Sequence, residues 1–227
     1  MARNAVFFFV AFLFAAIIGF WPTYFTRIEE MASWRVHAHG ALLFGWCLLL
    51  IAQAWLIRDR RGAWHRALGK VSYVLAPLIV ISALVVEHGV LVKAAGQYND
   101  ETLYFAYVIV ALLILFVLSY ARAIAHRRTP ALHMRYMMCT ALTMVDPVFA
   151  RIIDVRFGIG FGTGQMITYT LVDAILLWLA FNDRDTGYRV FPKMLVAFVL
   201  LQVPTFFLYK AAWWPAIVAW FASLPIS

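Results

Sequence analysis
Five of the six histidines, His37, His39, His65, His88 and His133, stand in or at the edges of long apolar runs, and the carboxylates Glu87, Asp146 and Asp173 lie inside such runs. Neutral imidazole is a good ligand for haem iron, zinc, copper and non-haem iron. An ionisable group in a hydrocarbon layer costs at least about 2.5 kcal/mol on insertion scales, so it is expected to face inward and to work. Two histidine pairs suit a b-type haem held between facing helices: His39 with His88, and His65 with His133, with Arg66 and Arg135 placed to meet haem propionates. A second chemistry is a metal centre of His37, His39 and His88, with Asp146 or Glu87 as general base and Asp173 as a second mid-membrane carboxylate beside Asp146. His37 and His39 are two apart, so both reach one ion only where the helix starts between them. His126, in a basic loop, reads as solvated.

Apolar residues make up 65% of the 227 residues and charged residues 13%, far more apolar surface than a soluble domain of this length can bury. The expected architecture is an all-α, polytopic membrane protein forming a single integral membrane domain over 1–227. Runs of the roughly 20 apolar residues needed to cross a bilayer fall at 4–24, 36–57, 70–92, 103–124, 133–153, 165–182 and 191–210, which predicts seven spans. The first reads as a retained helix, because no small-residue cleavage site follows its basic start. The closing WWPAIVAWFASLP is short and rich in Trp, and is expected at the interface. Cys47 and Cys139 each sit in an apolar run, which argues against a disulfide framework or a cysteine-based cluster.

These spans position the candidates. His39, Trp46 and Gln53, spaced by seven, share one face of span 2. His133, Met137, Thr140, Met144, Pro147 and Arg151 form a stripe on span 5, and Tyr169 and Asp173 share a face of span 6. Antiparallel packing of spans 2 to 5 in a four-helix core puts His37, His39, Glu87, His88, Arg151 and Asp154 at one pole, and His65, Arg66, His133 and Arg135 at the other. Thirteen of the nineteen Lys and Arg residues fall on one side: Arg3, Arg58, Arg60, Arg61, Arg66, Lys70, Arg122, Arg127, Arg128, Arg135, Arg184, Arg189 and Lys193. By the positive-inside rule that side, with the N-terminus, is cytoplasmic. The net charge of +8 is then an orientation signal and an attraction to anionic lipid, and no nucleic-acid partner is expected. The loop before span 3 reads RR-x3-H and the loop before span 5 RR-x4-H, each histidine expected to open the next helix, with Pro77 and Pro147 downstream. GIGFGTG reads as a turn, since no strand precedes it.

The motifs H-x-x-G (His37, Gly40), H-R-x-L-G (His65, Arg66, Leu68, Gly69) and H-x-R-x-M (His133, Arg135, Met137) carry a resemblance over residues 36–151. The chain resembles a family of uncharacterised bacterial membrane proteins with HR-x-x-G and H-x-R-x-M motifs at helix starts, and is loosely similar to haem-handling oxidase-assembly proteins and two-haem b cytochromes. That resemblance implies a bacterial inner-membrane location and haem. The chain departs from the pattern at Phe191-Pro192, where a His-Pro pair would begin the last helix. Three functions are expected in order: haem b or another histidine-ligated metal ion in electron transfer or quinone-linked redox chemistry; an accessory or assembly subunit of a larger membrane complex; and a metal-dependent hydrolase or lipid-modifying enzyme. Whether the chain is an enzyme is left open.

Overall fold
The computed structural model describes residues 5–30 and 33–226, and no strand occurs among them. Arg3, counted above for orientation, lies outside the described residues. The helices are α1 (Ala5–Phe20), α2 (Trp34–Arg58), α3 (Gly62–Gly69), α4 (Ser72–Lys93), α5 (Asp100–Ala125), α6 (Pro130–Phe157), α7 (Phe161–Asn182), α8 (Val190–Gln202) and α9 (Trp214–Ala222). Among the described residues, four segments are long and apolar enough to cross a membrane: Trp34–Arg58, Gly62–Lys93, Asp100–Ala125 and Gly162–Asn182. Their outward side chains, among them Leu48, Val74, Ile81, Ile114, Val117 and Leu177, are exposed and apolar, as lipid contact requires. The chain is a multi-pass membrane protein by this measure. At 28 residues α6 has the length, but Arg135, Asp146, Arg151, Asp154 and Arg156 interrupt its apolar character. Shorter apolar stretches are α1, of 16 residues, and Val190–Phe206.

Helix ends follow local chemistry. The Asn99 side chain accepts from the Thr102 amide at 2.8 Å, capping α5, whose first turn carries Asp100 and Glu101 against the positive end of the helix dipole. Pro130 opens α6, where its missing N–H costs nothing. Gly158 closes α6 in the left-handed region, φ 62°, its amide donating to Asp154 O at 2.8 Å. At the end of α2, the Arg61 amide donates to Leu56 O at 2.8 Å and the Arg60 amide to Ile57 O at 3.1 Å. This is a Schellman turn, with Arg60 at φ 58° in the position that favours glycine.

Three expectations about elements change; the first is GIGFGTG, which is non-helical only over residues 158–160, because α7 starts at Phe161. RDRRGAWHR was expected as a polar break, yet residues 62–69 form α3, which packs back on α2. An eight-residue helix is invisible to a search for 20-residue apolar runs. His65 accordingly sits within α3 and α4 begins at Ser72, whereas His133 does lie in the first turn of α6. The run 191–210 is helical only to Gln202; Pro204 comes next but one, and 3-10 turns occupy Val203–Phe206 and Leu208–Lys210.

The chain divides into two compact units, Met1–Ser82 with Met144–Gly164, and Ala83–Thr143 with Gln165–Ser227. In the first, α1 packs along α2. A Cβ on Gly19 would meet Val148 O at 2.8 Å and Ile152 Cγ1 at 3.2 Å, so α1 approaches α6 closely only because residue 19 has no side chain. In the second, α5 packs against α8, both 3-10 turns and α9. Leu91, Leu103, Tyr104, Val108, Trp214 and Val218 form part of its core. Trp214 Nε1 donates to Leu103 O at 2.9 Å, and the Tyr104 and Tyr209 rings meet edge to face at 5.2 Å.

Candidate functional site
The first unit brings together several residues expected at one pole. His37 Nδ1 and the Tyr24 hydroxyl share a hydrogen bond of 2.8 Å. His39 Nδ1 lies 2.9 Å from Ser82 Oγ, and Ser82 in turn donates to Ile79 O at 2.9 Å. Because the serine proton goes to the Ile79 carbonyl, Oγ accepts from His39, and Nδ1 carries the imidazole proton. His39 Nε2 is left with the lone pair, the tautomer that metal-ligating histidines adopt when their other nitrogen is anchored. Arg151 lies within electrostatic range of His39, Asp146 and Asp154. Its Nη1 donates to Pro147 O at 3.1 Å and its guanidinium lies 4.3 Å above the Phe20 ring. Asp146 is buried.

The helix containing His37 and His39 begins at Trp34, ahead of both, so at about 100° per residue the two rings leave α2 on nearly opposite sides. They accordingly find different partners, Tyr24 and Ser82. Among the described residues, no group of three or more His, Cys, Asp or Glu side chains is arranged to hold a metal ion.

The other candidates expected at that pole belong to the second unit. His88 is 3% exposed; its Nε2 donates to Leu224 O at 2.9 Å and its ring meets Phe221 edge to face at 5.5 Å. The bond to a carbonyl fixes the proton on Nε2, and Nδ1 is buried with no hydrogen-bond partner among the described residues. Glu87 beside it is buried on α4. Asp173 pairs with the Gln202 amide, oriented so that its nitrogen lies 3.1 and 3.2 Å from the two carboxylate oxygens.

At the other end of the second unit, Arg135 forms a two-pronged ion pair with Asp183, Nε to Oδ2 and Nη2 to Oδ1. Its Nη1 donates to Ala131 O at 2.7 Å, its Nη2 reaches Thr186 Oγ1 at 3.2 Å, and its guanidinium lies 4.8 Å from the Tyr188 ring centre. Arg135 and Asp183 are 5% and 3% exposed. A haem propionate would have to displace Asp183 to reach this guanidinium. His133 Nδ1 donates to Ala123 O at 2.9 Å, so its Nε2 holds the lone pair, as in His39. In the first unit, His65 is half-buried on α3 and Arg66 is exposed, its Nη1 3.5 Å from the Cβ position of Gly62. Both polar atoms of the Gln53 amide are buried without a hydrogen bond among the described residues, and Nε2 lies 3.4 Å from the Cβ position of Gly69. His126 stacks on Tyr136 at 5.7 Å.

Sequence reasoning missed Ser82, Tyr24, Asp183 and Gln202 as partners. Only Asp183 carried a signal: it directly follows α7 at the same pole at which α6 starts, with a charge opposite to that of Arg135. No family model matches the chain, and neither the curated proteins nor the solved structures contain a match to it.

Proposed function
We propose that the chain is a seven-span protein of the bacterial inner membrane, with a cytoplasmic N-terminus, that uses imidazole to hold haem b or another metal ion for electron transfer or quinone-linked redox chemistry. The spans beyond the four long apolar helices are α1, α6 and Val190–Phe206. The observation carrying the chemistry is the anchored tautomer of His39, with Ser82 taking Nδ1–H and Nε2 presenting a lone pair; His133 has the same tautomer. A haem needs only one or two such nitrogens, so it does not require the three-ligand group that the described residues lack. When bound, the haem would supply a one-electron couple. His39 would hold it, and Ser82 would fix the ring and raise its basicity.

The test is an absorbance spectrum of the purified, detergent-solubilised chain, as isolated and after dithionite, with elemental analysis of the same sample. Expected are a Soret band and sharp reduced α and β bands, lost in His39→Ala. In Ser82→Ala, haem affinity should fall about 10- to 100-fold, the usual cost of losing such a support. A colourless, metal-free, folded protein overturns the reading.

A second reading, an accessory subunit of a larger membrane complex, is favoured by the closure of polar groups on partners within the chain: His88 on Leu224, Arg135 on Asp183, Asp173 on Gln202. It expects a co-purifying complex that survives His39→Ala and His133→Ala unchanged.

A further inference from the structure
Where α2 turns through residues 59–61 into α3, an open groove of about 480 Å³ lies between the two helices, within the roughly 300–1,000 Å³ range of small-molecule sites. Ile51, Ala52, Trp55, Leu56, Trp64 and Leu68 line it, and among the described residues the one charged side chain in its wall is Arg61. Arg58, Arg60, Arg66 and Lys70, in the same stretch of chain, are all exposed. Arg58 lies over the Phe7 ring at 5.0 Å, and the only acid in this stretch is Asp59, 4.0 Å from Arg61. The Arg66 guanidinium lies by Gly62, on the side of α3 turned away from Trp64 and Leu68. Arg60 holds a left-handed conformation at a position where glycine would be less strained, so the turn keeps a cation at a conformational cost.

We infer that this elbow binds one anionic phospholipid, an acyl chain lying in the groove between α2 and α3 and the headgroup phosphate held by Arg60 and Arg61. The charge decides the occupant. Guanidinium forks match phosphate oxygens two at a time, and basic residues clustered beside a membrane span select anionic headgroups, whereas a zwitterionic headgroup brings its own cation into the arginines. Trp55 and Trp64 supply the amphipathic rings that favour headgroup depth. The inference rests on the membrane reading above and is independent of haem, which the absorbance spectrum reports separately.

The test is native mass spectrometry of the full detergent-purified chain titrated with phosphatidylglycerol, phosphatidylcholine or inorganic phosphate. Phosphatidylglycerol should remain bound, phosphatidylcholine should dissociate, and millimolar inorganic phosphate should not displace the lipid. Arg61→Gln and Arg60→Gly should each weaken phosphatidylglycerol binding about fivefold. Ala52→Leu, which fills the groove and leaves every charge in place, should weaken it as well. Arg60→Gly relieves the turn, so it provides a folded variant should the others misfold. Equal retention of the two lipids, displacement by inorganic phosphate, or indifference to Arg60→Gly overturns the proposal.

Discussion
Truncating either member of the Arg135–Asp183 pair is expected to be among the most damaging single changes outside the apolar core. Both side chains are almost fully buried, and three of the arginine's nitrogens are committed to Asp183, Ala131 O and Thr186. Arg135→Ala leaves the Asp183 carboxylate buried without its fork, and Asp183→Ala leaves a buried guanidinium with one carbonyl, one hydroxyl and the Tyr188 ring. Removing one partner of a buried pair costs about 3–5 kcal/mol, a hundred- to few-thousand-fold loss in the folded population. The two truncations remove the same interaction, so the double variant should cost less than their sum, leaving a coupling of up to ~3 kcal/mol. Arg135→Lys keeps the charge but not the planar fork and should recover only part of the loss. The assay is denaturant unfolding in mixed micelles, followed by far-ultraviolet circular dichroism, for the wild type, both singles and the double. Single losses below about 1 kcal/mol, the range of solvated surface pairs, or strict additivity of the two, would refute a buried and coupled pair.

Gly19→Ala should lower stability by about 1–3 kcal/mol, because its methyl group would press on the Val148 carbonyl, which cannot swing aside as a side chain can; the thermal midpoint reports it. Asn99→Ala should cost about 0.5–2 kcal/mol and raise amide exchange in the first turn of α5. Arg60→Gly should stabilise the fold by about 0.5–1 kcal/mol, the relief of the left-handed turn less the entropy of glycine; a lower midpoint would mean that the arginine side chain contributes to folding.

The existence and approximate limits of the long helices were legible, because an apolar run long enough to cross a bilayer admits few other structures. Asn99 ahead of Asp-Glu-Thr marks the start of α5, and Gly158 marks the end of α6, for reasons confined to a few neighbouring residues. Helix α3 was not legible: at eight residues it is far shorter than a bilayer-crossing run, and the arginines just before it mark the stretch as a polar break. In the candidate site, the histidines and Arg135 were visible as polar residues in apolar surroundings, but their partners were not. His88 ends on the Leu224 carbonyl and His133 on the Ala123 carbonyl. Every residue carries such a carbonyl, so no side-chain type announces it. Arg135 and Asp183 are 48 positions apart, and only the assembled helix pair brings them together.

Two of the bonds tying the closing segment to the rest of the second unit, His88 Nε2 to Leu224 O and Trp214 Nε1 to Leu103 O, both end on main-chain oxygens. They recognise register rather than residue type. A scan replacing Leu224 or Leu103 one side chain at a time would leave both acceptors in place and score the positions by packing alone. Deleting a single residue between 215 and 223 would instead move the 224 carbonyl away from the imidazole and rotate the remaining C-terminal residues by about 100°. The segment should therefore tolerate spelling errors better than omissions, and an insertion–deletion library would detect this attachment where a substitution library does not.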